Sequence, residues 1–277
     1  MAAPPQSQSK QYDTIAAAYS SSNLTDLPGE IITANLLRRG LGDVQDLTIL
    51  DLACGSGLYS RMVIELGART VTAVDISSEM LRIGQSIEDS AARDSDTTAA
   101  PDGTSADGRT GYRIVYHQAD CSQPLDHLGL KPGSFDLVTA NWLFNYASNR
   151  TELANMWRNV SRYLAPGGRF VGVGELHSLE PALNRSEWAG IRVSVAGETD
   201  DATKVHTELL SEPPVAFDSF ILKCADWYRD VPLEVGMEDV AFTPPGIEEV
   251  PEHCRDVEEW REVLVVPYCL LYTATKT

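Results

Sequence analysis

A short glycine-containing segment, Asp51-Leu52-Ala53-Cys54-Gly55-Ser56-Gly57, has the residue types and spacing best suited to chemistry in this chain. It lies between a predicted buried strand and a predicted helix. Small residues at such a bend let the backbone turn sharply and pass close to a ligand. Asp75 ends the next predicted strand, roughly 20 residues downstream, where an acidic group can accept hydrogen bonds from ribose hydroxyls. The spacing therefore predicts a ligand that contains a nucleoside, with a bare glycine turn as the alternative.

Two common nucleotide-binding motifs are excluded by the residues of this segment. A dinucleotide fingerprint needs a third glycine, where this chain has Ser60, and a triphosphate-binding loop needs Gly-Lys followed by Ser or Thr. Neither pattern is present here. The expected ligand is therefore neither a dinucleotide nor a nucleoside triphosphate.

Alternating strands and helices are predicted to position the glycine segment. Two helices come first, over 10–20 and from Pro28 to Gly40, and Ser77 and Asn149 are expected to cap two later helices. This alternation implies an α/β fold, a Rossmann-like, doubly wound and mainly parallel sheet with helices on both faces. The predicted strands of this sheet cover residues 47–52, 69–75, 112–120, 135–141 and 169–174.

The pattern changes after Glu175. An antiparallel pair is predicted over 191–195 and 205–210, followed by a strand over 215–222. The stretch 89–111 is nearly free of large apolar residues and is expected to be a flexible excursion. We therefore expect a single domain with an antiparallel lid or insertion toward its C-terminal end. The expected parts are a disordered tail at 1–9, a domain over 10–277 with N-terminal helices as a cap at 10–40, a ligand-binding core at 47–176, a lid at 178–218, and residues 219–277 completing the sheet.

Composition excludes several classes of partner. The chain has 40 acidic and 22 basic residues among 277, a formal charge of −18, and no basic stripe. Nucleic acids and anionic membranes are therefore not expected partners, because binding them depends on clusters of cationic groups. No apolar run approaches the roughly 20 residues of a membrane-spanning helix, and the N-terminus does not resemble a secretion signal. Five cysteines without metal-ligand spacing predict neither a disulfide framework nor a zinc site, which favours the cytoplasm.

Five ordered landmarks resemble those of class I S-adenosylmethionine-dependent methyltransferases of the small-molecule type. The glycine segment, taken from Leu50 to Gly57, resembles the first motif of that family, and Val71 to Met80 resembles its second-strand motif. The similarity covers residues 12–175 and becomes loose after that. The other three landmarks are Gln118-Ala119-Asp120-Cys121, Phe135 to Asn141, and Leu164-Ala165-Pro166-Gly167-Gly168.

The resemblance implies S-adenosyl-L-methionine as the cofactor, S-adenosyl-L-homocysteine as its product, and no metal. The glycine segment would pass along the methionine part and the ribose, and Asp75 would accept from both ribose hydroxyls. Ile76 and Met80 would flank the adenine, whose amino group would donate to Asp120. Two tyrosines that match the family's opening motif would close the site. The cofactor-binding residues implied in this way are Tyr12, Tyr19, Ala53, Cys54, Gly55, Gly57, Asp75, Ile76, Met80, Asp120, Cys121 and Asn141.

Residues that follow the fourth and fifth predicted strands are candidates for the acceptor side. His177 is a candidate base, because a neutral histidine at the mouth of the cleft could take a proton; a polar loop residue is the alternative. Trp142, Asn145 and Tyr146 are candidates for binding the acceptor, and His206 on the predicted antiparallel pair is a further one. Methyl transfer needs little beyond alignment of acceptor, methyl group and sulfur. A base is needed only for an acceptor that is protonated at the working pH.

The function expected from these observations is transfer of a methyl group from S-adenosylmethionine to an oxygen or nitrogen atom of a small molecule, and the resemblance suggests specialised metabolism. Two alternatives keep the fold. One is a rearrangement or cyclisation that uses the bound cofactor without consuming it. The other is a cofactor-binding module without catalysis. The sequence indicates no oligomeric state.

Overall fold

The computed structural model describes residues 6–95, 113–175, 187, 190–265 and 267–277. Within these residues the chain forms helices α1 (Gln6–Ser21), α2 (Pro28–Leu41), α3 (Leu58–Glu65), α4 (Ser78–Ser95), α5 (Arg150–Tyr163), α6 (Asp226–Glu234) and α7 (Glu258–Val265). The strands are β1 (Thr48–Leu52), β2 (Thr70–Asp75), β3 (Ile114–Gln118), β4 (Phe135–Ala140), β5 (Leu164–Glu175), β6 (Ile191–Glu198), β7 (Ala202–Leu209), β8 (Val215–Leu222), β9 (Met237–Thr243) and β10 (Cys269–Lys276).

Seven strands form one sheet in the order β3-β2-β1-β4-β5-β10-β9. The first five of these are parallel, whereas β10 runs antiparallel to both β5 and β9. The strand order reverses at β1, because the chain adds β2 and β3 on one side of β1 and then β4 and β5 on the other. In such sheets ligands bind beyond the carboxyl ends of the strands at this reversal. The predicted Rossmann-like α/β fold is confirmed.

Helices cover both faces of the sheet and bury its central strands. Ile49, Leu50 and Leu52 of β1 are fully buried, as a mainly apolar segment predicts for a central parallel strand. Trp157 of α5 packs in the apolar cluster of one face, and Leu36 of α2 packs in the cluster of the other. Burial of a large apolar side chain contributes about 1.5–3 kcal/mol. The two clusters therefore fix the strands whose ends form the site described below.

The start of α5 is set by Asn149, as the sequence predicts. The Asn149 Oδ1 accepts a hydrogen bond from the backbone N–H of Glu152 at 3.0 Å. The Glu152 carboxylate in turn accepts from the backbone N–H and the hydroxyl of Ser148, at 2.8 and 2.9 Å. This is the spacing of a capping box, with Glu152 reaching one residue further back than its usual partner.

Replacing Asn149 by alanine is expected to lower the free energy of unfolding by about 1 kcal/mol, because a backbone N–H at the helix start loses its partner. Asn149→Ser should retain most of the stability. Asn155→Ala within α5 is the matched control, since the Asn155 amide bonds the Arg158 side chain and alanine favours a helix interior. Urea unfolding measures all three. Wild-type stability in Asn149→Ala would show that the cap contributes nothing.

The first helix begins earlier than the sequence predicts. α1 starts at Gln6, so residues 6–9 are helical and not part of a disordered tail. The Ser9 hydroxyl donates to the backbone carbonyl of Ile76 at 3.3 Å. This tertiary contact ties the polar start of α1 to the segment after β2, and no local sequence pattern indicates it.

Two further boundaries differ from the sequence-based expectation. α4 continues to Ser95, so the first residues of the stretch 89–111 are helical. β5 begins at Leu164, five residues before the predicted start at 169. Between Leu164 and Arg169, where Gly167 has a φ of 75°, the register of the pairing between β4 and β5 shifts. This shift interrupts the pairing of the two strands locally but does not end β5.

β6, β7 and β8 form a separate three-stranded antiparallel sheet, and the predicted antiparallel pair is confirmed as β6 and β7. β8 continues to Leu222, so the predicted end of the lid at 218 falls inside a strand. Gln11 of α1 exchanges two hydrogen bonds with the backbone of Asp218, at 2.9 and 3.1 Å. This small sheet therefore lies against the N-terminal helix.

Candidate active site

A cleft opens at the carboxyl ends of β1, β2 and β4, beside α1. Its space, counted out to the open mouth and including solvent there, is about 990 Å³. Most of the predicted site residues meet in this cleft, although they come from separate parts of the chain. The predicted residues that line it are Tyr12, Tyr19, Ala53, Cys54, Gly55, Asp75, Ile76, Met80, Asp120, Cys121, Asn141, Trp142 and Tyr146.

The turn after β1 has a backbone conformation that most residues avoid. Ala53, Gly55 and Gly57 have positive φ angles of 58°, 55° and 82°. For a residue with a side chain the left-handed region costs about 1–2 kcal/mol, and strain of this kind often occurs at functional sites. The Cys54 N–H donates to the Val74 carbonyl at 3.1 Å, which holds the turn against β2. Main-chain atoms therefore face the cleft with little side-chain cover.

Asp75 joins this turn to the end of β2. Its Oδ2 accepts from the Gly55 N–H and its Oδ1 from the Ser77 N–H, both at 2.8 Å. The residue is 7% exposed, and this burial raises the pKa of the carboxyl, while the backbone hydrogen bonds act in the opposite direction. Each carboxylate oxygen can accept a second hydrogen bond. Asp75 can therefore hold the turn and still accept from ligand hydroxyls.

Asp120 and Cys121 follow β3. The Asp120 Oδ1 accepts from the backbone N–H and the hydroxyl of Ser122, at 2.8 and 2.7 Å, which is a common way for aspartate to form a turn after a strand. The Asn159 amide of α5 donates to the Cys121 carbonyl at 2.9 Å and so fixes this turn. Burial raises the pKa of the Cys121 thiol, so the thiol stays protonated and is not a nucleophile.

The N-terminal helix closes one side of the cleft. The hydroxyls of Tyr12 and Tyr146 are hydrogen-bonded to each other, and their rings meet edge to face with centroids 5.7 Å apart. Asp13 holds α1 in place, because its Oδ1 accepts from the Ser77 hydroxyl at 2.7 Å and from the Glu79 N–H at 3.2 Å. An acidic group is favoured at the start of a helix such as α4. Asp13 is not among the predicted site residues.

Asn141 and Trp142 face the cleft from the end of β4. The Asn141 Oδ1 accepts from the Val173 N–H at 3.1 Å, and the residue is 6% exposed. Its Nδ2 finds no hydrogen-bond partner within the described part of the chain. A buried donor without a partner costs about 1–3 kcal/mol, which a bound ligand can offset. Trp142 has a φ of 63°, and its indole stacks on Tyr268 with centroids 6.1 Å apart.

Two acids that the sequence analysis did not assign to the site also line the cleft. Asp51, one residue before the end of β1, accepts from the hydroxyls of Ser60 and Thr139, at 2.5 and 2.9 Å; burial raises its pKa to about 6. Glu30, in the first turn of α2, accepts from the Tyr59 hydroxyl at 3.3 Å, and burial raises its pKa to about 7. Asp51 belongs to the glycine segment, whereas no motif in α2 indicates Glu30.

Two predicted residues have structural surroundings away from the cleft. A side chain at Gly57 would meet the Tyr116 hydroxyl at 2.2 Å, so Gly57 packs against β3 behind the turn. Asn145 is buried, and its Oδ1 accepts from the Glu175 N–H at 3.4 Å. Neither residue lines the cleft. Both are neighbours in sequence of residues that line the cleft. Gly57 helps to position the turn, and Asn145 helps to position the end of β5.

His206, a predicted acceptor contact, belongs to the small sheet and does not line the cleft. Its Nδ1 is 2.7 Å from a carboxylate oxygen of Asp218, the residue opposite it on β8. Lys204 contacts the other oxygen of Asp218 at 2.6 Å. His206 is therefore part of a surface ion-pair network. His177, the candidate base, lies outside the described residues.

Among the described residues no group of three or more His, Cys, Asp and Glu side chains could hold a metal ion. No helix among them is long and apolar enough to cross a membrane.

Comparisons with known proteins agree with this geometry. Residues 50–172 match a family model described as a methyltransferase domain. None of the curated protein sequences that were compared matches the chain.

Solved structures resemble the chain over nearly its full length. An S-adenosylmethionine-dependent methyltransferase from Mesorhizobium loti is 22% identical, with 92% of this chain and 100% of that chain covered and a TM-score of 0.58. The CcbJ methyltransferase from Streptomyces caelestis is 17% identical, with 98% and 99% covered and a TM-score of 0.60. The DhpI-SAM-HEP complex is 18% identical, with 97% and 96% covered and a TM-score of 0.56. At these identities the likeness shows the fold.

The fold is that of a Rossmann-like α/β protein, and its cleft lies where the strand order reverses. The predicted resemblance to the class I S-adenosylmethionine-dependent methyltransferases is confirmed: residues 50–172 match the model of a methyltransferase domain, and the chain has the fold of these enzymes.

Proposed function

We propose that this protein transfers the methyl group of S-adenosylmethionine to an oxygen or nitrogen atom of a small molecule. The observation that carries the proposal is the junction between Asp75 and the turn after β1, where the Gly55 N–H donates to the carboxylate at 2.8 Å. This junction combines an acceptor for ribose hydroxyls with an open main-chain surface at the reversal of strand order. It lies inside the segment that matches a methyltransferase domain.

The cleft residues fit a ligand with an adenine, a ribose and an amino-acid part. Asp75 would accept from the ribose hydroxyls, Ile76 and Met80 would enclose the adenine, and Asp120 would accept from its amino group. The unpaired Nδ2 of Asn141 offers a donor to the ligand. When bound, the cofactor supplies an electrophilic methyl group on a sulfonium. The structural likeness to the DhpI-SAM-HEP complex supports this choice of ligand.

The acceptor is proposed to be small because protein surrounds the cleft. Tyr12 of α1 and Tyr146 close it from one side through their hydrogen-bonded hydroxyls, and Trp142 forms part of its wall. Holding the acceptor in line with methyl and sulfur can supply much of the acceleration. His177 is proposed as the base for an acceptor that must lose a proton, since it follows the end of β5 by two residues.

Calorimetry and mass spectrometry test the proposal. S-adenosylmethionine and S-adenosylhomocysteine are expected to bind at one site per chain, in the micromolar range usual for substrates. Incubation with methyl-labelled cofactor and pools of small amines and alcohols should transfer the label to a small-molecule product. Absence of binding would overturn the proposal. Binding in which a substrate isomerises and the cofactor is not consumed would favour the rearrangement alternative.

The cytoplasm is the proposed location. The five cysteines are free, and Cys54, Cys121 and Cys269 are buried. Free thiols persist in reducing compartments. With a formal charge of −18, nucleic acids and anionic membranes are not among the partners we propose.

A further inference from the structure

Glu30 is a cleft carboxylate that the proposed methyl transfer does not use. Its side chain lines the cleft from the first turn of α2. The other three cleft carboxylates each accept two hydrogen bonds from nearby backbone or hydroxyl groups. In the described part of the chain Glu30 accepts a single one, from the Tyr59 hydroxyl, at the long distance of 3.3 Å. Glu30 therefore has the largest unused capacity to accept a hydrogen bond from a ligand.

The surroundings of Glu30 favour a cation. Tyr19, Tyr59 and Trp142 line the cleft together with Glu30, and aromatic faces attract cations by about 0.5–2 kcal/mol. None of the described residues that line the cleft is a lysine, arginine or histidine. A partly buried carboxylate without a cationic partner carries a desolvation cost, which a bound cation offsets. An anionic ligand group would increase that cost.

We propose that Glu30 binds a protonated amine of a ligand in the cleft. The inference rests on the proposed function, because the ligands concerned are the cofactor and the methyl acceptor. Two sources could provide the ammonium group: an amine acceptor, or the amino group in the methionine part of the cofactor. The buried Asn141 Nδ2, which has no hydrogen-bond partner among the described residues, belongs to a residue that lines the same cleft.

With an amine acceptor, Glu30 also receives a proton. An N–H bond of the ammonium breaks and an O–H bond forms on the Glu30 carboxylate, which leaves a neutral amine. The lone pair of this nitrogen forms the N–CH₃ bond while the S–CH₃ bond breaks, and that electron pair stays on sulfur as the thioether. Glu30 then returns its proton to solvent.

The tyrosine and cysteine side chains packed around Glu30 stay uncharged between pH 6 and 8. Tyr19, Tyr59, Tyr268 and Cys269 face it from α1, α3 and the start of β10, and burial raises the pKa of each, so all four stay uncharged. Burial raises the pKa of Glu30 to about 7. Its ionised fraction therefore rises from about one tenth at pH 6 to about nine tenths at pH 8, where amines are still protonated. Ammonium binding should strengthen about tenfold over this interval.

Paired ligands that differ only in the amine test the proposal by calorimetry. For the acceptor, 2-phenylethylamine and 2-phenylethanol are titrated into protein saturated with S-adenosylhomocysteine. For the cofactor, S-adenosylhomocysteine and its deaminated analogue are titrated into the free protein. Glu30→Gln is expected to lower affinity for the amine of one pair at least tenfold, with no change for its amine-free partner. Asp51 is unchanged in this variant, so its own titration cannot produce the difference.

The ligand pair whose amine loses affinity identifies the source of the ammonium group. In Glu30→Gln the binding of this amine should no longer depend on pH between 6 and 8. Glu248→Gln is the matched control, because the Glu248 side chain is 55% exposed and does not line the cleft. Glu30→Gln should fold, since a neutral amide is easier to bury, and Glu30→Asp should give an intermediate affinity. If Glu30→Gln leaves both amines unchanged, or weakens each pair equally, the inference fails. If wild-type protein binds no S-adenosylhomocysteine, the proposed function itself fails.

Discussion

Asp75→Ala is expected to weaken binding of S-adenosylmethionine by at least about 100-fold while the fold stays intact. The carboxylate is proposed to accept from both ribose hydroxyls, and a hydrogen bond to a charged acceptor contributes about 1.5–3 kcal/mol. Two such bonds correspond to roughly 3–6 kcal/mol, a factor of about 100 to 10,000 in affinity. Calorimetric titration of wild type and variant measures this factor, and circular dichroism checks the fold.

Asp75 also holds the turn through Gly55 and Ser77. The experiment must therefore separate the structural role of Asp75 in the turn from its proposed contact with the ligand. Adenosine and 2′,3′-dideoxyadenosine make this separation, since wild type should prefer adenosine and Asp75→Ala should show no preference. Asp136→Ala is the matched control: Asp136 also accepts a backbone N–H from a neighbouring strand, that of Thr48 at 2.8 Å, but at the amino ends of the strands. A preference for adenosine that survives in Asp75→Ala would contradict the ribose assignment.

Gly57→Ala is expected to lower the free energy of unfolding by about 2–5 kcal/mol. The φ of Gly57 is 82°, and the left-handed region costs alanine about 1–2 kcal/mol. The new methyl group would also lie 2.2 Å from the Tyr116 hydroxyl. The backbone of α4 also lies close to this ring, since a methyl group added at Gly84 would be 3.0 Å from two of the ring atoms of Tyr116. Overpacking of this kind typically adds about 1–3 kcal/mol.

A second glycine provides the matched control for Gly57→Ala. Gly129 has a similar left-handed backbone, with φ 68° and ψ 15°, but nothing within 4 Å of an added methyl group. Gly129→Ala should therefore lose only the strain, about 1–2 kcal/mol. Tyr116→Phe combined with Gly57→Ala should recover part of the larger loss. Denaturant unfolding measures all of these variants, and equal losses for the two single substitutions would show that the Tyr116 ring moves aside.

The fold was predictable because its signals are local. β1 is a mainly apolar segment that ends at the glycine turn, and Asn149 caps α5 through a residue only three positions away. Such contacts depend on a few consecutive residues. The start of α1 was not predictable in this way, because its polar residues are held by Ile76, far along the chain.

The site residues also differ in whether local sequence signals could predict them. The residues at the ends of β1, β2 and β4 were predictable, since parallel strands end at one edge of a sheet and bring Asp75 and Asn141 together. The clearest omission is Glu30, which reaches the cleft only because α2 packs beside the sheet. His206, a predicted acceptor contact, does not line the cleft. Its ring contacts the carboxylate of Asp218, which lies opposite it on β8.

The order of strands and helices, the glycine turn and the carboxylate at the end of the neighbouring strand could all be predicted from the amino-acid sequence, because hydrophobic periodicity, small residues and strand ends are local properties. Three facts required the folded structure: Gly57 packs against Tyr116, Asp75 holds the turn as well as lining the cleft, and Glu30 lines the same cleft. These facts depend on distances between segments remote in sequence. Packing fixes such distances, and a single sequence carries no direct record of them.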